Sequence, residues 1–423
     1  MPGHTADKLI EALERIPVID AHEHLVPEKE RTSMTVDFSV LFSQYTTIGL
    51  VSAGMPQESL DRLYGQTSEQ RISVEEKWGL FREYYPYIKH MSLLQPARIW
   101  IRDVLGFDDI NDDSFMDISR RLQENNKPGI YRKILKDMCS IEFALACRDE
   151  PEAYDEDDRS MIMPLLVISS FFPSKDGFMQ KYFSSIGPDA VPDVGEYLEW
   201  IFEEKKAAVE QGIYGVKSRC FPGYDPDRKK AQEIIEALYS GKLEPGTVTN
   251  PISATAPLVS VINDRGVEFA RDRGLTVAVH SGVWGDFRDL APGHLIPVAV
   301  KYPDVKFNLF HLGMPYVREA VMIAMIFPNV SLNLTWAHAV SQQTTIRTLD
   351  ECMDMVPLNK IIGFGGDYIS QIEKVYGALK MTQENIARVL AKRIDKGDID
   401  VDEALQIARM WLYDNAKEIY GLS

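Results

Sequence analysis

The sequence predicts a (β/α)8 TIM barrel, an α/β fold running as one domain over residues 1–423, with a lid-like helical insertion at 31–130 inside it. Short β-branched runs alternate with helical stretches along most of the chain, the pattern of a parallel sheet. Eight such runs can be counted, the number a closed barrel of this type uses. Four of the 8 histidines stand at the ends of those runs, where barrel enzymes carry their sites. A chain of 423 residues with 45% hydrophobic content can bury a core of that size, and barrels routinely run past ~200 residues as one unit.

In order, the runs are PVIDAHEH (17–24), IEFALAC (141–147), MIMPLLVISS (161–170), IYGVKSR (213–219), LTVAVHS (275–281), VKFNLFHL (305–312), NVSLNLTW (329–336) and KIIGFGGD (360–367). The helix DVGEYLEWIFEEKKAAVEQG leads into the fourth run and ends on Gly212, suited to the position just past a helix. PYVREAVMIAMIFPN opens with Pro315 in its first turn and stops before Pro328 and Asn329. The tail spaces Leu405, Ala408, Leu412, Ala416 and Ile419 for a helix packed on the barrel wall. Between His24 and the second run the chain reads largely as helix (EEKWGLFREYYPYIKHM; NDDSFMDISRRLQENN). No linker-like composition flanks that stretch, so it is expected as an insertion in the first β→α loop rather than a second domain.

Composition narrows the partners. With 63 acidic against 46 basic residues the net charge is −17. Such a surface repels phosphate backbones and anionic lipid, which argues against nucleic-acid and membrane binding and leaves a homo-oligomer open. No apolar run approaches the ~20 residues of a membrane span, and the first residues read as an amphipathic helix rather than a signal peptide. Cys139, Cys147, Cys220 and Cys352 are scattered with no CxxC pair. That pattern fits a reducing interior and argues against a disulfide framework or a thiolate zinc site. A cytoplasmic globular protein is expected.

The residues suited to chemistry gather at the run ends. His22 and His24, at spacing i, i+2 on a strand, present both imidazoles to one face, and two neighbouring neutral imidazoles are costly to bury without a shared cation. His280 ends the fifth run, although a lone histidine there also reads as a satisfied core residue. Asp367 ends the eighth, after Gly365 and Gly366, and also reads as a helix N-cap. Three nitrogens and one carboxylate, His22, His24, His280 and Asp367, make a sensible shell for Zn²⁺ or Mn²⁺ with room for water.

The segments IDAHEHL, VHSG, FHLG with its following Pro315, and GFGGDY resemble the strand-end motifs of the amidohydrolase superfamily. The resemblance is to its amidohydrolase-related branch of hydrolases, lactonases and aromatic-acid decarboxylases. It implies His22, His24 and His280 as metal ligands, Asp367 as ligand and general base, and His311 as a second-metal ligand or catalytic acid/base. Taken alone, His311 also reads as a hydrogen-bonded core histidine. The resemblance further sets Lys217 where binuclear members carry a carboxylated lysine bridging two metals. The helical insertion and the stretch CRDEPEAYDEDD resemble uronate isomerases, whereas SGVWGDFRD and NLTWAHAVSQ do not reproduce that group's arginine and tryptophan pattern.

Lys217 and Arg219 share a face at i, i+2, and two cations on an inner rim suit an anionic substrate, with a carboxylate held bidentately by Arg219. The alternative is that they pair with barrel carboxylates such as Asp20. One metal ion per chain, zinc before manganese, is therefore expected beside a Lys217/Arg219 anchor. Trp284, Asp286 and Arg288 follow His280, and Trp284 and Arg288 are candidates for substrate contact. The expected activity is hydrolysis of a small carboxylate-bearing lactone or amide by metal-activated water, with Asp367 and His311 catalytic. A nonoxidative decarboxylase, a uronate isomerase-like aldose–ketose isomerase and a non-catalytic metal-binding barrel are the alternatives.

Overall fold

In the computed structural model of the chain, which describes residues 2–65, 72–148, 153–175, 177–244, 252–283 and 285–422, eight parallel strands follow one another in sequence order. They are β1 (Val18–Glu23), β2 (Ile141–Cys147), β3 (Ile162–Val167), β4 (Gly215–Arg219), β5 (Thr276–His280), β6 (Phe307–Leu309), β7 (Val330–Asn333) and β8 (Ile361–Ile362). Each falls inside an expected run, but the last three are shorter than the runs suggest. The backbone at the ends of those runs turns left-handed, with φ of 61° at His311, 58° at Trp336 and 66° at Asp367, which no strand residue can hold.

Backbone bonds from Ala21 N to the Phe364 carbonyl (3.2 Å) and from Asp367 N to the His22 carbonyl (2.9 Å) join the β8 end to β1 and close the barrel. Close approach here depends on two glycines. A Cβ on Gly365 would lie 2.0 Å from Thr335 Oγ1, and one on Gly366 would lie 1.9 Å from Glu23 Oε1.

Ile19, Leu145, Leu165, Ala278, Phe310 and Ile362 belong to an apolar cluster separate from the larger one between strands and helices. Tyr413, Ala416 and Tyr420 join that inner cluster. The C-terminal segment therefore differs from the single wall helix expected of it. Val401–Arg409 and Asn415–Tyr420 are helices joined by a π-turn at Met410–Asp414. The last turn plugs the N-terminal end of the barrel: the Ile419 carbonyl accepts from Thr276 Oγ1 at the start of β5, and Tyr420 Oη donates to Asn308 (3.0 Å). The expected helix before β4 forms as Val194–Glu204 and Lys206–Glu210, capped by Asp193 accepting from Glu196 N. Among the described residues no helix is long and apolar enough to cross a membrane.

From Glu23 to Ile141 the chain leaves the barrel. The principal helices here are Val74–Ile88, opened by a Ser73/Glu76 capping box, then Gln95–Asp103 and Phe115–Asn125. Their core is aromatic: Phe38, Phe42, Trp78, Phe81, Tyr85 and Phe115 meet with ring centroids 4.8–6.4 Å apart. Buried Arg31 fastens this unit to the loop after β8. Its guanidinium donates to the Ser370 carbonyl, to Asn126, and to Glu373 at 2.8 Å. Replacing Arg31 by Met would leave the Glu373 carboxylate buried without its cation, which costs about 3–5 kcal/mol when one partner of a buried pair is removed. Urea denaturation of Arg31→Met should show that loss, and a change below ~1 kcal/mol would mean the clamp contributes little to stability.

Candidate active site

At the C-terminal end of the barrel, strand geometry and three left-handed residues aim side chains at one point. His22 comes from β1 and His24 from the residue just past its end, with ring centroids 4.7 Å apart. Asp367 arrives from the β8 end, and its Oδ1 lies 3.4 Å from His22 Nε2 and 3.5 Å from His24 Nε2. Among the described residues, His22, His24 and Asp367 form a group whose possible ligand atoms all lie within 4.8 Å of one another. A tetrahedral site with bonds of about 2.0–2.1 Å sets its ligand atoms roughly 3.3 Å apart, so this donor set fits a divalent ion with little movement.

The electrostatics agree with that fit. Burial, and after it the Lys217 cation, pushes the His22 imidazolium well below its ordinary range, leaving a neutral ring with a lone pair to give. Burial alone would raise Asp367, but the imidazoles of His22, His24 and His311 overcome it and hold the carboxylate well below the usual range. Beneath the group, Asp20 Oδ1 accepts from Gly366 N (3.1 Å) and His22 N (3.3 Å), and Glu23 Oε2 accepts from Tyr368 N (2.6 Å). Asp20 is thus committed to the β1–β8 junction, in place of the pairing with Lys217 or Arg219 that the sequence left open. Burial lifts Asp20 to about 7, and burial together with Asp20 raises Glu23 further, so the pair retains a proton.

His280, expected as the third histidine ligand, stands outside this group. Its Nε2 faces the Val283 carbonyl at 3.0 Å and its Nδ1 faces His311 Nε2 at 3.2 Å. His311 turns its Nδ1 to the Thr335 carbonyl (2.9 Å), with Nε2 3.9 Å from Asp367 Oδ2. Carbonyls accept only, so each ring keeps its proton on the carbonyl side. The nitrogens left facing each other both carry lone pairs, and burial keeps the His311 imidazolium down at about 4. The facing lone pairs are therefore placed to accept a hydrogen-bond donor or a cation, while burial resists full protonation of either ring.

Two residues that sequence reasoning passed over complete the mouth. Tyr45, from the insertion, donates its hydroxyl to Asp367 Oδ1 at 2.8 Å and lies against Trp336 with centroids 4.0 Å apart. Burial and then the Asp367 charge raise the phenol well above 10, so it stays protonated. Gln44, itself left-handed at φ 58°, donates to the Asp367 carbonyl at 3.0 Å. Among the described residues, four of the six non-glycine residues with positive φ (Gln44, His311, Trp336 and Asp367) thus surround one site, the clustering expected where backbone strain serves function.

Lys217 and Arg219 stand on β4, and Arg219 is in register with His280. Lys217 Nζ is buried without a hydrogen-bond partner and sits 4.0 Å over the Phe310 ring. Burial lowers both cations, and for Arg219 burial is the sole cause, with no carboxylate opposing it. Arg288 is exposed and taken up by Asp286, its Nε donating to Oδ1 at 2.8 Å two residues away. That local pair explains the loop charge without a substrate. Trp284 lies outside the described residues.

A family model described as amidohydrolase matches residues 190–422. Across an alignment 467 positions long the chain is 20% identical to the uronate isomerase of Nostoc punctiforme, covering 99% of this chain and 95% of that protein. A stretch of 133 residues is 29% identical to protein fluG of Emericella nidulans, spanning 31% of this chain and only 15% of fluG's length. The crystal structure of glucuronate isomerase from Caulobacter crescentus superposes with a TM-score of 0.78 at 15% identity, over 100% of this chain and 95% of that one.

Proposed function

Because this chain belongs to the amidohydrolase family, its model matching more than half of the sequence, we propose that it is a divalent-metal-dependent aldose–ketose isomerase acting on a sugar acid. The observation that carries this reading over hydrolysis is the Tyr45 hydroxyl on Asp367 Oδ1. One oxygen of that carboxylate is taken by a phenol, with an aromatic pair, Tyr45 and Trp336, beside it, and this places a proton donor at the site that hydrolysis by metal-activated water does not call for. Isomerisation instead moves protons between adjacent carbons and oxygens of one substrate, and calls for positioned acids and bases with water kept out. The end-to-end likeness to the Nostoc uronate isomerase supports the same reading.

His22, His24 and Asp367 would hold the metal, which when bound polarises the substrate oxygens as a Lewis acid. Zinc suits the two imidazoles and one carboxylate, and manganese is the second choice. Tyr45 donates a proton toward the carbonyl oxygen. Asp367, ionised and with Oδ2 unclaimed by Tyr45, accepts the proton from one carbon and returns it to the neighbouring carbon. His311 and His280 present facing lone pairs that accept the hydroxyl's hydrogen bond and relay its proton back to Tyr45, which restores the phenol. Lys217 and Arg219 anchor the substrate carboxylate.

The test is a proton-NMR assay with zinc or manganese, offering glucuronate and galacturonate beside a panel of lactones, amides and aromatic acids. Ketose formation from a uronate is expected. Turnover of a lactone or amide with none on the uronates would return the protein to the hydrolase reading that its strand-end motifs and family also support. The anchor has its own test. Arg219→Met should raise KM for the acidic substrate about 10- to 150-fold, the loss of a charge-assisted contact of roughly 1.5–3 kcal/mol. Metal content should be unchanged. An unaltered KM would remove Arg219 from the site.

A further inference from the structure

We propose that the thiol of Cys147 is a two-way hydrogen-bond partner for His22, donating to it when the metal centre is empty and accepting from it when the centre is filled. The inference rests on the metal-centre reading above. Cys147 ends β2 and is buried, and it touches both imidazoles of the group. Its backbone carbonyl faces His24 Nδ1 at 2.8 Å, and its Sγ faces His22 Nδ1 at 3.4 Å.

These two contacts differ in kind. A carbonyl only accepts, so His24 keeps its proton on Nδ1 in every state and always presents the Nε2 lone pair toward Asp367. A thiol both donates and accepts, so it imposes no single tautomer on His22. With no metal, the favourable arrangement has S–H donating to Nδ1 and Nε2–H directed at the ionised Asp367 Oδ1, 3.4 Å away. With a metal on Nε2, the ring proton must reside on Nδ1, and the sulfur becomes its acceptor. The ring stays neutral and the thiol stays protonated in both states, so one proton leaves Nε2 while one arrives at Nδ1 and the S–H bond rotates. Cys147 is in this sense a positioning residue: it spares His22 the cost of a lone pair facing Asp367 when empty, yet does not oppose the tautomer that ligation requires.

Nitrogen-15 spectra of the imidazoles, recorded on metal-free protein and during zinc titration, test this directly. His22 is expected to carry its proton on Nε2 without zinc and on Nδ1 with it, while His24 carries Nδ1–H throughout. In Cys147→Ala the metal-free His22 should keep its Nε2 proton on Asp367 but show a shifted Nδ1 resonance for want of the S–H donor, with His24 unchanged, and zinc affinity by chelator competition should fall about ten- to a hundredfold. Cys147→Ser, whose hydroxyl also donates and accepts, should recover most of that affinity. Cys352→Ala, at another fully buried cysteine on the helix Gln342–Met355, should lose stability only. An Nδ1 proton on His22 in the metal-free wild type, or wild-type zinc affinity in Cys147→Ala, overturns the proposal. Wild-type protein that binds no zinc at all would instead refute the metal-centre reading, and the metal-free tautomers would still test the thiol.

Discussion

Asp367→Asn should lower turnover by at least about a thousandfold, some 4 kcal/mol of transition-state stabilisation, and strip the bound metal. The carboxylate is the negative charge facing His22 Nε2 and His24 Nε2, and the same group accepts from Tyr45 and lies opposite His311. An amide keeps the shape but brings no negative charge to a cation, and it cannot accept a proton from carbon at neutral pH. Unfolding is not expected to confuse the result. Asp367 sits at φ 66°, a left-handed conformation that asparagine tolerates at least as well as aspartate. Metal analysis and steady-state kinetics on the same preparation decide the matter. A variant that retains about one ion per chain and wild-type turnover would dissolve the proposed centre.

Asp367 was also among the residues most legible in the sequence. Alternating β-branched runs announce strands, and a barrel then dictates which end of each strand carries chemistry. Histidines at 22 and 24 and an aspartate at the end of the eighth run could be seen without a structure. His280 obeyed the same logic and still came out differently. Strand position fixes where its backbone lies, but the Val283 carbonyl three residues on and the His311 ring opposite fix where its nitrogens point. For Arg288 the sequence is silent in a related way: the structure pairs it with an acidic neighbour at i−2, and a run of charges in a loop does not say which are already paired. The left-handed turns at His311 and Trp336, which cut β6 and β7 short, carry no signal in residues that are neither glycine nor asparagine.

Tyr45 was beyond reach for a different reason. It lies in a short 3-10 turn, Gln44–Thr46, with no periodicity to read, and its partner is 322 residues away. Nothing local distinguishes it from the other tyrosines of the insertion. Only the folding of the insertion, with Arg31 holding Ser370 and Glu373 and Gln371 donating to Ser43 Oγ at 2.7 Å, sets that turn over the barrel mouth. The same clamp ties the insertion to the loop that carries Asp367, with Gln371, Gln44 and Tyr45 adding contacts beside the buried Arg31.

Removing the Tyr45 hydroxyl should have the second large effect, and it separates the two readings of the site. In Tyr45→Phe the ring remains against Trp336, so lid packing and metal content should stay close to wild type. For an isomerase, the lost proton donor should lower kcat about 10²- to 10⁴-fold, the usual contribution of a positioned general acid, with KM changed little. For a hydrolase the outcome reverses, because the variant frees Asp367 Oδ1 to receive a proton from water, and turnover of lactones or amides should hold or rise. The pH profile supplies an independent check. Burial and the Asp367 charge keep the phenol protonated well past its ordinary value of 10. Activity that depends on its proton should therefore show no basic limb from Tyr45 below that pH, and Tyr45→Phe should scale the profile down without shifting it. A basic limb near neutrality that vanishes in Tyr45→Phe would mean the residue works as a phenolate base, and an unchanged kcat would mean it only packs the lid.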